Sequence, residues 1–148
     1  MAQVRPWSGW ACWFALGVAL MTGCGDMTGH SFASVSGTVA VAGQPLTSGS
    51  VSFHPDASRG NMSQHHPTGT INADGTYQLY TTGKKGAPPG WYKVLVFATD
   101  KSGPNVGAHP GMPSSLVHAR YGSEKTTDLV IEVVPQPAPG AYDLALNK

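Results

Sequence analysis

TGTINADGTYQLYTTGKKGAPPGWYKVLVF, residues 68–97, holds the two clearest strand signals in the chain. Asp74-Gly75 accepts positive φ at little steric cost, as the two-residue primed turns of hairpins demand, and strand-forming residues flank it. The reading is a hairpin with arms at 68–71 and 76–81, and with Tyr77 and Leu79 pointing inward. From Gly83 to Gly90, two prolines without N–H groups and three glycines cannot continue a ladder, so the chain turns. It re-enters sheet at 91–97, the most strand-prone run of the sequence. Tyr92, Val94 and Val96 share one face of that strand and Trp91, Leu95 and Phe97 the other, with Lys93 between them. Apolar residues on both faces mean either a central strand covered on both sides or an outer patch offered to a partner. The Gly- and Pro-rich stretch 100–115 is the expected cover. Trp91, Leu95 and Phe97 are the candidate interaction patch.

Outward from this stretch, alternation marks further strands. Residues 35–41 put Val35, Val39 and Val41 on one face and Ser36 and Thr38 on the other. Residues 49–55 turn Val51 and Phe53 inward and stop at Pro55. Residues 129–134 and 142–146 complete the set, and the polar, aperiodic run 56–66 is a loop. Seven short strands bounded by turns, with no amphipathic helix, predict an all-β, seven-stranded antiparallel β-sandwich of immunoglobulin-like kind.

The 148 residues suffice for one domain with its own core. With 19 glycines and 12 prolines, the composition suits strands joined by many turns. A net charge of +1 gives no electrostatic footprint for nucleic acid, which calls for clustered Lys and Arg, so no nucleic-acid partner is expected.

The N-terminus carries an address. Arg5 precedes an apolar run, 10–21, that has the length of a signal-peptide core and is short for a membrane span. Leu20-Met21-Thr22-Gly23-Cys24 then places small residues immediately before a cysteine, and this resembles the lipobox of bacterial lipoproteins, in which that cysteine is acylated. Cys12 lies inside the leader, so the exported chain keeps Cys24 alone, a lone thiol in a compartment that favours disulfides. Acylation gives it a use. The expected organisation is a lipoprotein signal peptide at 1–23, a tether at 24–33 and a β-domain at 34–148, exported and held by lipid at the bacterial cell envelope.

A wider resemblance covers the mature chain. Val35-Ser36-Gly37-Thr38-Val39, Gly43-Gln44-Pro45-Leu46, Val51-Ser52-Phe53, Ala73-Asp74-Gly75-Thr76-Tyr77 and Gly86-Ala87-Pro88-Pro89-Gly90-Trp91-Tyr92-Lys93-Val94 follow the order seen in the small carboxypeptidase regulatory-like, or transthyretin-like, lipoproteins of Planctomycetes. Ala119-Arg120-Tyr121-Gly122 continues the match. The resemblance implies a prealbumin-like sandwich without catalysis.

The chain has no G-x-S-x-G elbow, no H-E-x-x-H and few acids to pair, so no enzyme and no cofactor is expected. The expected role is a structural or interaction module whose partner is an envelope protein or polysaccharide. Two ligand-binding alternatives stand beside it. His65 and His66 follow Met62 in one loop and His109 precedes Met112 in another, and imidazole with thioether suits copper. Trp91, with Tyr92 and Tyr80, is the aromatic platform for a carbohydrate alternative. Asn72-Ala73-Asp74-Gly75 has the look of a calcium loop but lacks its remaining acids, so it reads as a turn.

Overall fold

The computed structural model describes residues 31–99 and 114–148. Cys24 and the leader, most of the tether and most of the stretch 100–115 lie outside the described residues. The fold is all-β, a largely antiparallel sheet curled into a half-barrel. Its strands are β1 (Ser36–Val41), β2 (Gln44–Pro45), β3 (Gly49–Pro55), β4 (Thr68–Ile71), β5 (Thr76–Gln78), β6 (Tyr80–Thr81), β7 (Lys84–Lys85), β8 (Gly90–Phe97), β9 (Val130–Val133) and β10 (Leu144–Leu146). The main path runs β10-β1-β5-β4-β3-β8-β9, with β2, β6 and β7 beside it.

Among the described residues ten strands form, seven on the main path and three short ones beside it, and the short ones have local causes. The run 76–81 divides at Leu79, whose N–H donates to Val35 O at 2.9 Å, and the two-residue β2 and β7 are built on turns. The pairing is not wholly antiparallel either. β1 and β10 run parallel, from Val39↔Leu144 to Val41↔Leu146. They come from opposite ends of the domain, so no tight hairpin forces them to oppose.

Turn chemistry also differs from expectation. At Asp74-Gly75 only the glycine has positive φ, and Gly75 N–H donates to Asn72 O at 2.9 Å in a longer loop. Asp74 Oδ1 instead accepts from Thr76 N–H at 2.9 Å and Thr76 Oγ–H at 2.7 Å, bonds that the aspartate makes without leaving negative φ. The two-residue turns with both central residues at positive φ are Ala42-Gly43 (φ 49° and 81°) and Thr82-Gly83 (φ 46° and 82°). They join β1 to β2 and β6 to β7.

The core fills the inside of the curl. Val35, Val39, Val51, Phe53, Tyr77, Leu79, Tyr92, Val94, Val96 and Val133 are buried there, as alternation requires. The open side is drawn together by two tyrosines. Tyr77 Oη donates to Tyr142 O at 2.6 Å, and Tyr142 Oη accepts from Val134 N–H at 3.1 Å. Gly37 makes room: a Cβ there would meet Tyr142 O at 2.3 Å, so any side chain would push the strand before β10 away.

Candidate functional site on the outer face of the sheet

With Val51 and Phe53 inward, β3 turns Ser50, Ser52 and His54 outward, and β8 turns out Trp91, Lys93, Leu95 and Phe97. The register sets Ser50 opposite Phe97, Ser52 opposite Leu95 and His54 opposite Lys93. This places the three candidate patch residues on one face, but not on one open surface. Leu95 is only 5% exposed, although it stands apart from the main core. Trp91 is half-buried, with the Arg59 guanidinium 4.7 Å from its ring centroid, and Asn61 Nδ2–H donates to its carbonyl at 2.8 Å. Asp56, buried beside it, has its carboxyl held below the usual range, first by the hydrogen bond from the Ser58 hydroxyl and against the opposing effect of burial. Phe97 alone is open, at 47% exposure.

A segment around a 3-10 turn, Ala119–Gly122, packs against β8, while most of the stretch expected to cover this face lies outside the described residues. Gly122 lies against the Phe97 ring, Glu124 reaches His54 on β3, and Thr127 Oγ–H donates to Val94 O at 2.8 Å. This segment acts as a strap across β8.

Where the strap meets β3, three side chains form a hydrogen-bonded chain. Ser52 Oγ lies 3.0 Å from His54 Nε2, and His54 Nδ1 lies 2.5 Å from Glu124 Oε1. An ionised carboxylate only accepts, so Nδ1–H donates to it, and in the neutral imidazole Nε2 is then left to accept from the serine hydroxyl. His66 stacks edge-on, its ring centroid 4.6 Å from that of His54. Sequence reasoning missed this group because Glu124 is 70 positions from His54; only the Ser52-x-His54 spacing, which sets both on one strand face, was there to be seen. The order hydroxyl, imidazole, carboxylate is that of a nucleophile with its base and orienter. Ser52, however, stands mid-strand between β4 and β8, where ladder bonds occupy the neighbouring N–H groups that an oxyanion would need. The arrangement suits a latch holding the strap.

Of the four metal candidates, His65 and His66 fall among the described residues. His65 and His66 are exposed in the loop after the 3-10 turn Ala57–Arg59, beside an exposed Met62, while His109 and Met112 lie outside the described residues. Among the described residues no group of three His, Cys, Asp or Glu side chains is placed to hold a metal ion.

The three aromatic candidates do not form one platform. Tyr92 is fully buried and its Oη donates to Pro88 O at 2.8 Å, whereas Tyr80, on β6, is 44% exposed. Tyr80 borders a different feature, a hollow of about 440 Å3 on the outer side of β3, β4, β5 and β6. Ser50, Thr68, Thr70, Asn72, Gln78 and Tyr80 line it, all of them uncharged. Alternation puts them there, since Val51, Ile71, Tyr77 and Leu79 take the inward positions on the same strands. Gly69 lets the two arms close up, because a Cβ at that position would meet Gln78 O at 2.4 Å.

Comparison with protein-family models, with curated proteins and with solved structures finds no match to this chain. Among the described residues no helix is long and apolar enough to cross a membrane.

Proposed function

We propose that this chain is an exported, lipid-anchored β-domain of the bacterial cell envelope that works by binding an envelope partner rather than by catalysis. The position of Cys24 carries this reading. It follows the apolar run 10–21 and the small residues Thr22-Gly23, and it precedes by a short stretch of chain Ala33, whose bridge with Ala87 is the first strand pairing among the described residues. Two or three acyl chains on that sulfur anchor a domain stably, whereas one is marginal. The resemblance to carboxypeptidase regulatory-like lipoproteins, together with the seven strands on the main path of the sheet, supports a transthyretin-like sandwich as the finer description. The ladder-bound setting of Ser52 supports binding over hydrolysis.

Detergent-phase partition and intact mass test the anchor. Full-length protein made in a bacterial host is expected in the detergent phase, cut before Cys24 and heavier by its acyl chains. Cys24→Ala is expected in the aqueous phase. Wild-type protein in the aqueous phase with a free, alkylatable thiol rejects the reading.

A further inference from the structure

The uncharged hollow beside Tyr80 is a second region of the outer face, and its lining includes none of the latch residues. Four hydroxyls, those of Ser50, Thr68, Thr70 and Tyr80, open into it, and all four residues are exposed. Among the described residues none of these hydroxyls is engaged by another protein group, while the neighbouring amides are partly committed. Asn72 Nδ2–H donates to Thr76 Oγ at 3.0 Å and Gln78 Nε2–H to Val35 O at 2.8 Å, which fixes both side chains in place. The hydroxyl-bearing strands β3 and β4 are paired on both sides, so the array is rigid and offers no free edge to an added peptide strand.

The chemistry of this lining selects a ligand. A hydroxyl both donates and accepts, so a row of them matches a ligand that is itself a row of hydroxyls. Among the described residues no cation lines the hollow to attract phosphate or carboxylate, Lys85 standing opposite Tyr80 on β7 but outside the lining, and no anion lines it to attract an amine. Apart from the Tyr80 ring it has no large apolar side chain to hold a greasy peptide anchor. That exposed ring, at one border, gives an apolar surface on which the C–H face of a sugar can lie. A second hollow shares Ser50 and Thr70 with the first and extends it toward the exposed Phe97, lengthening the track for a chain of linked rings. We infer that the groove formed by Ser50, Thr68, Thr70, Asn72, Gln78 and Tyr80 binds a neutral polysaccharide. This rests on the reading of the domain as an envelope-binding module and names the partner class.

Affinity electrophoresis of the full-length protein in mild detergent tests it. The gels contain one of three neutral probes, an unbranched β-1,4-glucan, a β-1,3-glucan or an α-1,4-glucan, with a sulfated glucan as the charged control. Retardation by at least one neutral glucan is expected, unchanged between low and high salt because no ion pair contributes. Tyr80→Ala is expected to weaken it by about tenfold, and Thr70→Val, which keeps the shape and removes one hydroxyl, to weaken it by several-fold. Both variants are expected to keep the wild-type thermal midpoint. Three outcomes overturn the inference: no retardation by any of the neutral probes, retardation that both variants leave intact, or retardation by the sulfated glucan alone that salt abolishes. Crosslinking to an envelope protein without any glucan response also overturns it while leaving the binding-module reading in place. The partition behaviour of Cys24→Ala reports on the anchor separately.

Discussion

Thr82 is the residue whose conformation is least at ease. Its φ of 46° is shared with Ala42 at 49°, but threonine is β-branched, and both of its Cβ substituents crowd the backbone in the left-handed region. Strain of this kind costs on the order of 1–3 kcal/mol, and asparagine is among the residues that visit the left-handed region most readily. The Thr82 side chain is exposed, so little packing is lost by replacing it. Thr82→Asn is therefore expected to raise stability by about 1 kcal/mol, seen as a higher denaturation midpoint in urea at unchanged slope. A midpoint that stays or falls shows that the turn relaxes the threonine in some other way.

At the scale of elements, the strap is the unit to perturb. Two interactions hold it, the Glu124–His54 contact and packing against the face of β8 that carries Leu95 and Phe97, and their sizes differ. A pair as exposed as this one is worth less than about 1 kcal/mol, whereas burying a leucine side chain contributes about 2 kcal/mol. Packing dominates, and the latch only positions it. Leu95→Ala is accordingly expected to cost about 2–5 kcal/mol, Glu124→Ala less than about 1 kcal/mol, and the two costs to add to within about 1 kcal/mol in the double variant. Chemical denaturation of the two single variants and the double variant measures the coupling. A Glu124→Ala cost as large as that of Leu95→Ala shows that the latch, and not packing, holds the strap.

Strands of this kind were legible in the sequence because alternation is a local property: β3 occupies the expected 49–55, and Tyr77, Leu79, Val94 and Val96 point where their spacing sends them. Turn type was less legible. Asp74-Gly75 is the dipeptide that favours a primed turn, yet a side-chain bond to Thr76 decided its geometry, while Ala42-Gly43 and Thr82-Gly83 took that form because the flanking strands hold them there. The latch and the hollow were hidden for another reason. Each depends on residues brought together by pairing across strands, and seen singly Ser50, Thr68 and Thr70 are only the polar half of an alternation.

Across the whole molecule, the half-barrel is held shut at its seam by buried tyrosine hydroxyls, and that makes its stability sensitive to alkali. The Tyr77 phenol is pushed well above its ordinary range, chiefly by burial and next by the nearby charge of Asp143. Tyr92 is raised as well, also by burial. An acid whose folded pKa is raised stays neutral in the fold while its unfolded counterpart ionises, so alkali favours the unfolded chain. The contribution is complete below the unfolded value of about 10 and is lost progressively as pH climbs above it toward the folded value. Stability is thus expected to be flat through neutrality and to fall above pH ~10 by up to about 1.4 kcal/mol per pH unit for each such tyrosine. Tyr77→Phe separates the seam from the rest. At pH 7 it loses the bond to Tyr142 O and is expected to be less stable than wild type by about 1 kcal/mol. Above pH 10 it has one fewer phenol to ionise, so its stability falls less steeply and the gap to wild type narrows, then reverses. Urea melts of both proteins across that range measure the gap. A gap that stays constant with pH means that Tyr77 ionises as freely in the folded chain as in the unfolded one, and that the seam is not where alkali acts.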